Sequence, residues 1–132
     1  MFGNFTEDAR RVLNLAKKEM KDLKHPYISS EHLLLAILKD KNLISKEIKE
    51  ELTYETFRKE VIHILGVGEK ECEYFLYTPL LKRILENAVL DSKENNNGNV
   101  TIHHLFSSLL EEGEGVAVRI LLGMKIDVQQ WY

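Results

Sequence analysis

Few residues in this chain have the type and spacing that chemistry requires. Glu31-His32 and His103-His104 set ligand-type side chains next to each other. Neither pair has the His-Glu-x-x-His interval that puts two imidazoles on one helix face, so no metal site is expected. Cys72 is the single cysteine, which excludes an internal disulfide and fits a reducing compartment. The nearest histidine, His63, precedes it on another expected element, leaving no evident thiolate pair. Gly66-Val67-Gly68-Glu69-Lys70 lacks the spacing of a phosphate loop and follows a helix where a strand is required. Catalysis is not expected of the chain, and no cofactor is assigned to it.

Binding chemistry is better represented. Helix starts at Thr6 and Ser30, and again at Thr78 and at Thr101 or Ile102, present backbone N–H groups suited to an anion. Glu31, beside one of these starts, would suit a cation. Capping alone would also account for Thr6 and Glu31. Phe2, ahead of the first cap, is a candidate protein-binding anchor or a staple for the first helix.

These residues are held by a helical framework. Ala9, Val12, Leu13, Ala16, Met20 and Leu23 recur at intervals of three and four, giving an amphipathic first helix that begins after Thr6. His25-Pro26 breaks it. Leu33-Leu34-Leu35-Ala36-Ile37-Leu38 has no polar face, so the second helix, capped by Ser29 or Ser30, should be central and buried. Leu43, Ile44, Ile48 and Leu52 suggest a third helix. Thr53 caps a fourth, carrying Phe57, Val61, Ile62, Ile64 and Leu65 and ended by Gly66.

The chain then restarts. At a constant offset of 72, Arg11, Val12, Leu13 and Ala16 match Arg83, Ile84, Leu85 and Ala88, while His32, Leu33, Leu38 and Ile48 match His104, Leu105, Leu110 and Ile120. Pro79 falls at a first helical position, where its missing N–H costs nothing. The expected architecture is all-α, a pseudo-twofold tandem repeat of two four-helix units. The first unit spans 5–66, the linker 67–76 and the second unit 77–132, within a single domain. The last helix, from Asp127, is short.

Bulk properties agree with a helical globule. The chain has 132 residues, 44% hydrophobic and 30% charged, with a net charge of -3. Its 18 basic residues are scattered, which disfavours nucleic-acid binding. There is no apolar run of membrane-spanning length and no signal-peptide pattern at the start, so a cytoplasmic location and no membrane partner are expected.

Met1-Phe2-Gly-x-Phe5-Thr6-Glu7-x-Ala9-x-x-Val12-Leu13, Ser30-Glu31-His32-Leu33-Leu34-Leu35, Tyr77-Thr78-Pro79 and Glu112-Gly113-Glu114-Gly115-Val116-Ala117 resemble the N-terminal domain of Clp-family unfoldases, the ClpC type above all, over essentially the whole chain. The resemblance implies a noncatalytic domain that recruits adaptor proteins and protein substrates to AAA+ ATPase modules. ATP would belong to those modules, which this chain lacks, and a ClpP-type peptidase would be reached through them. It further implies one phosphoarginine site per unit, with a threonine at a helix start for the phosphoryl group and a glutamate for the guanidinium. Thr6 and Glu31 stand at these positions in the first unit. The second has Thr78, but His103 replaces the glutamate, and an imidazole does not substitute for a carboxylate facing a guanidinium. One good site, Thr6 with Glu31, is the expectation. The alternative is a freestanding regulatory or adaptor-type protein with this fold, which the mass of the native product would distinguish.

Overall fold

The computed structural model describes residues 4–40 and 52–131. Phe2 and most of the expected third helix, including Leu43, Ile44 and Ile48, lie outside these residues. Within them the order is β1 (Asn4–Phe5), α1 (Glu7–Leu23), α2 (Ser30–Lys39), α3 (Tyr54–Leu65), α4 (Pro79–Asn95), β2 (Asn99–Val100), α5 (Ile102–Glu112), α6 (Val116–Gly123) and a 3-10 turn at Val128–Trp131.

The helix boundaries follow local chemistry. Thr6 Oγ1 accepts from Ala9 N–H at 3.2 Å and opens α1, whose first turn carries Glu7 and Asp8. Thr78 opens α4 in the same way, through Leu81 N–H at 3.2 Å, with Pro79 in the first turn. Thr53 caps α3 at Thr56 N–H, and Gly66, at φ 75°, ends it. Ser29, and not Ser30, is the cap residue of α2.

Helix α2 is the centre of the molecule, buried continuously from Ser30 to Leu38. It packs on α1, α3, α5 and α6, so no face of it needs a polar coat. The core includes Met20, Leu34, Ile37, Leu52, Phe57, Ile84 and Leu105. Helices α1 and α4 are both 17 residues long and start 72 positions apart, as do α2 and α5.

Contacts recur at the same offset. Arg11 grips Asp40 Oδ2 through Nε at 2.9 Å and Nη2 at 2.5 Å, which raises its guanidinium pKa. Arg83 and Glu112, 72 positions on, form an ion pair at 3.6 Å. His32 Nδ1 accepts from Ser29 N–H at 3.0 Å, and His104 Nδ1 from Thr101 N–H at 2.9 Å, so an imidazole fills the capping-box position in both units. These equivalences agree with a two-unit arrangement.

Two short parallel pairings join the units. Phe5 pairs with Val100, and Ile28 with Tyr77. Adding 72 to Phe5 gives Tyr77, and adding it to Ile28 gives Val100, so each pairing is the other with the units exchanged. Thr6 N–H donates to Val100 C=O at 2.9 Å and Thr78 N–H to Ile28 C=O at 3.0 Å. Periodicity gives no hint of these strands, because two residues are too few to show alternation. The chain end closes on the second unit, with the Trp131 ring 6.0 Å from that of Phe106.

Candidate functional site

The cross-unit pairing decides which residues meet. Because Ile28 binds the backbone of Leu76 and Thr78, the start of α2 lies against the start of α4. Thr78 Oγ1 donates to Ser29 Oγ at 3.1 Å, joining the two cap residues. Beside them is a cavity of about 310 Å³ lined by Ser29, Glu31, Thr78, the histidines His25 and His32, and the apolar side chains of Tyr27, Leu65 and Val116.

Glu31 is the charged group in this cavity. The residue is only 6% exposed, and its Oε1 has no hydrogen-bond partner. Burial raises its carboxyl pKa, while its own backbone N–H and the Ser29 hydroxyl pull the other way. A buried carboxylate oxygen left unpaired is costly, so the site favours a cation or a hydrogen-bond donor entering from outside.

The wall behind Glu31 is a chain of two imidazoles whose tautomers follow from their partners. Ser29 N–H occupies His32 Nδ1, so the His32 proton lies on Nε2, which donates to His25 Nδ1 at 2.8 Å. His25 Nε2–H then donates to the C=O of Gly66 at 2.8 Å, at the end of α3. Both rings are neutral in this arrangement. Burial pushes the His32 pKa down to about 3. A proton added to His32 would go to Nδ1 and set its N–H against Ser29 N–H.

The structure divides the residues that the sequence analysis grouped in one site. Thr6 does not line the Glu31 cavity, whereas Thr78 does. Thr6 lies instead beside Val100, next to the α5 start formed by Thr101, Ile102 and the exposed His103. Alignment within a unit pairs Thr6 with Glu31; in the fold the threonine that lines the Glu31 cavity, Thr78, comes from the other unit. The offset of 72 holds the signal for the exchange only once the parallel pairing is known. His25 gave no repeat signal, since its counterpart at that offset is Asn97.

The family described as the Clp repeat (R) N-terminal domain matches residues 76–131. Over 132 residues, 98% of this chain, the sequence is 33% identical to the negative regulator of genetic competence ClpC/MecB of Bacillus subtilis. Over 130 residues it is 32% identical to the ATP-dependent Clp protease ATP-binding subunit ClpC of Staphylococcus saprophyticus. The chain belongs to the Clp N-terminal domains. It spans 16% of the length of each of these relatives. The same fold occurs in the N-terminal domain of ClpD from Arabidopsis thaliana, with a TM-score of 0.79 at 23% identity, covering 96% of this chain and 91% of that one. The Hsp104 N-terminal domain of Candida albicans gives 0.77 at 18% identity, covering 96% and 85%.

Within this Clp N-terminal domain the two helix starts are chemically unequal. Glu31, which lines the cavity with Thr78, is buried; its counterpart at the offset of 72, His103, is exposed. Among the described residues no group of three or more histidine, cysteine or acidic side chains is arranged to hold a metal ion, and no helix is long and apolar enough to cross a membrane. Cys72 sits partly buried in the linker with its Sγ 3.7 Å from the Pro26 C=O.

Proposed function

We propose that this domain is the recognition module of a Clp-type ATP-dependent unfoldase, binding adaptors and protein substrates without catalysing a reaction itself. ATP would be bound and hydrolysed by modules outside this chain, and a ClpP-type peptidase would act through those modules. The ligand of the cavity at Glu31 is a phosphoarginine side chain.

The observation that carries this reading is the unpaired, buried Oε1 of Glu31 in a cavity flanked by the caps of two helices. A guanidinium supplies donors for the orphan oxygen in a fixed, planar geometry. The phosphoryl group it bears finds the N–H groups and positive dipole ends of α2 and α4, with the Thr78 and Ser29 hydroxyls between them. No single-charge ligand satisfies both halves. A phosphoarginine does so with one side chain.

Calorimetric titration with a phosphoarginine peptide tests this. One site per chain is expected, with affinity lost in Glu31→Gln by at least about 30-fold, the order of magnitude for removing one partner of a buried charge pair. Thr78→Ala should weaken binding more than Thr6→Ala. Binding lost equally in Thr6→Ala, or two equal sites, would sink the cross-unit site. Indifference to Glu31→Gln would sink the ligand assignment.

A further inference from the structure

The chain of imidazoles behind Glu31 is longer than capping requires. In the second unit His104 accepts from Thr101 N–H at 2.9 Å, and the residue matching His25 is the exposed Asn97. One imidazole therefore suffices to close a capping box. The second ring, His25, is found in the unit that carries the buried Glu31, and it is fixed from behind by its own N–H, which donates to Met20 C=O at 3.1 Å. The two ends of the chain set every proton within it. Gly66 C=O can only accept and Ser29 N–H can only donate. Two neutral rings protonated at Nε2 satisfy all three bonds, and no other placement of two protons does. Both rings are buried, so bulk water does not replace a lost partner. The end of the chain at Ser29 matters to the ligand, because Ser29 is shared by both halves of the site. Its Oγ accepts from Thr78 Oγ1 at 3.1 Å, and its hydroxyl lies by the Glu31 carboxyl, where it favours the ionised form.

Resting on the reading of this cavity as a phosphoarginine site, we propose that His25 is a positioning residue for the ligand: through His32 it holds Ser29 where one hydroxyl serves both the Thr78 cap and the Glu31 carboxylate. Without an acceptor at His25 the His32 proton has no partner on Nε2. Left there, it is a buried and unpaired donor. Moved to Nδ1, it opposes Ser29 N–H and drives the α2 cap away from Thr78. Either way the cradle for the ligand loosens, although Glu31, Ser29 and Thr78 are all still present. The competing role for His25 is structural, a tie from the turn after α1 to the end of α3 through Gly66. The two roles separate because only positioning depends on the proton that His32 carries.

Long-range proton–nitrogen NMR spectra of the histidine rings are the first measurement, since they need no substitution. Both rings should be neutral with the proton on Nε2, and a proton on His32 Nδ1 overturns the proposal even if no variant folds. Calorimetric titration with a phosphoarginine peptide then compares the chain with His25→Gln and His25→Leu, circular dichroism checking that each retains its fold. Glutamine offers an acceptor and a donor side by side, as the ring does, whereas leucine offers neither. His25→Gln should bind within about threefold of the unaltered chain, and His25→Leu on the order of tenfold more weakly, with the His32 ring signals displaced. A His25→Leu chain that is less stable but binds as tightly as before reduces His25 to the structural tie, which overturns the proposal and spares the pocket. Equal weakening in both variants also overturns it, since the bulk of the ring would then matter and not its hydrogen bonds. If the unaltered chain binds no phosphoarginine peptide, the ligand assignment falls and the positioning role falls with it.

Discussion

Protons compete with cationic ligands for Glu31. Its carboxyl pKa is raised by burial, so acidification neutralises it earlier than an exposed glutamate, and the neutral form cannot pair with a guanidinium. Affinity for the phosphoarginine peptide should fall as the pH drops through the raised carboxyl pKa, by up to about tenfold per pH unit once the carboxyl is mostly protonated. Titrations at a series of pH values from neutral through the acid range check this, with Glu31→Gln lacking the carboxyl's share of the dependence. A flat profile in the unaltered chain would contradict a role for the ionised carboxylate. His32, on the wall behind, has the opposite linkage. The unfolded chain protonates this imidazole below about 6.5, whereas the folded chain does not until about 3. More protons are bound in the unfolded state throughout that window, so the contribution of His32 to stability is present above about 6.5 and is lost as pH falls. The slope approaches about 1.4 kcal/mol per pH unit at its steepest. Glu31, with its raised pKa, contributes in the reverse sense: its stabilisation is present at low pH and lost as pH rises through its folded pKa. The net acid slope is therefore smaller than His32 alone would give. Urea unfolding midpoints at several pH values should show a shallower acid slope in His32→Gln, which keeps a capping-box acceptor for Ser29 N–H but has no titrating group.

Element ends, rather than element interiors, connect the two units. Helix α6 begins at Gly115, which has no side chain to cap it; Ser30 Oγ, at the start of α2, accepts from Ala117 N–H at 3.1 Å and does so instead. A Cβ at Gly115 would lie 2.8 Å from Ser30 Oγ and 2.9 Å from Leu80 Cδ2. Ser30→Ala should cost about 1 kcal/mol, the usual value of a helix cap. Gly115→Ala should cost about 1–3 kcal/mol by overpacking the same junction. Because both substitutions act on one contact, the double variant should be less destabilised than the sum of the singles, a coupling that chemical denaturation of the four proteins would measure. Full additivity would show that the hydroxyl and the close approach are independent. A second interelement tie surrounds the buried Glu19 of α1. It accepts a short hydrogen bond from the Tyr54 hydroxyl of α3, and Lys39 of α2 stands 3.9 Å away. Burial first, and then Glu19, raises the phenol pKa. Tyr54→Phe leaves a buried carboxylate with a weaker set of partners and should destabilise the fold by about 1–3 kcal/mol.

At the scale of the molecule, the units share one core and exchange their strand pairings, so neither is expected to unfold before the other. Differential scanning calorimetry should show one transition, with calorimetric and van't Hoff enthalpies equal. Two resolved transitions would mean that the units are thermodynamically separate. Much of this architecture was legible in the residues. The helix starts at Thr6, Thr53 and Thr78, the Gly66 stop and the burial of α2 follow from local hydrogen-bonding capacity and from an apolar run with no wet face. The register of the repeat followed as well, since core positions at a constant offset report equivalent environments. The composition of the site was only partly legible. Glu31 and the threonines stood out as residues at helix starts, but Thr6 and Glu31 belong together only if each unit builds its own site. The sequence by itself determined which groups are present and which face of each helix is apolar, because propensity, capping and periodicity act over a few residues. Only the tertiary structure decided that Thr78 and Glu31 line one cavity, and that His25 and His32 share a proton chain ending on Gly66. Those neighbours are set by parallel backbone pairing between segments 49 residues apart at Ile28 and Tyr77, and 95 apart at Phe5 and Val100, separations over which no local pattern carries information.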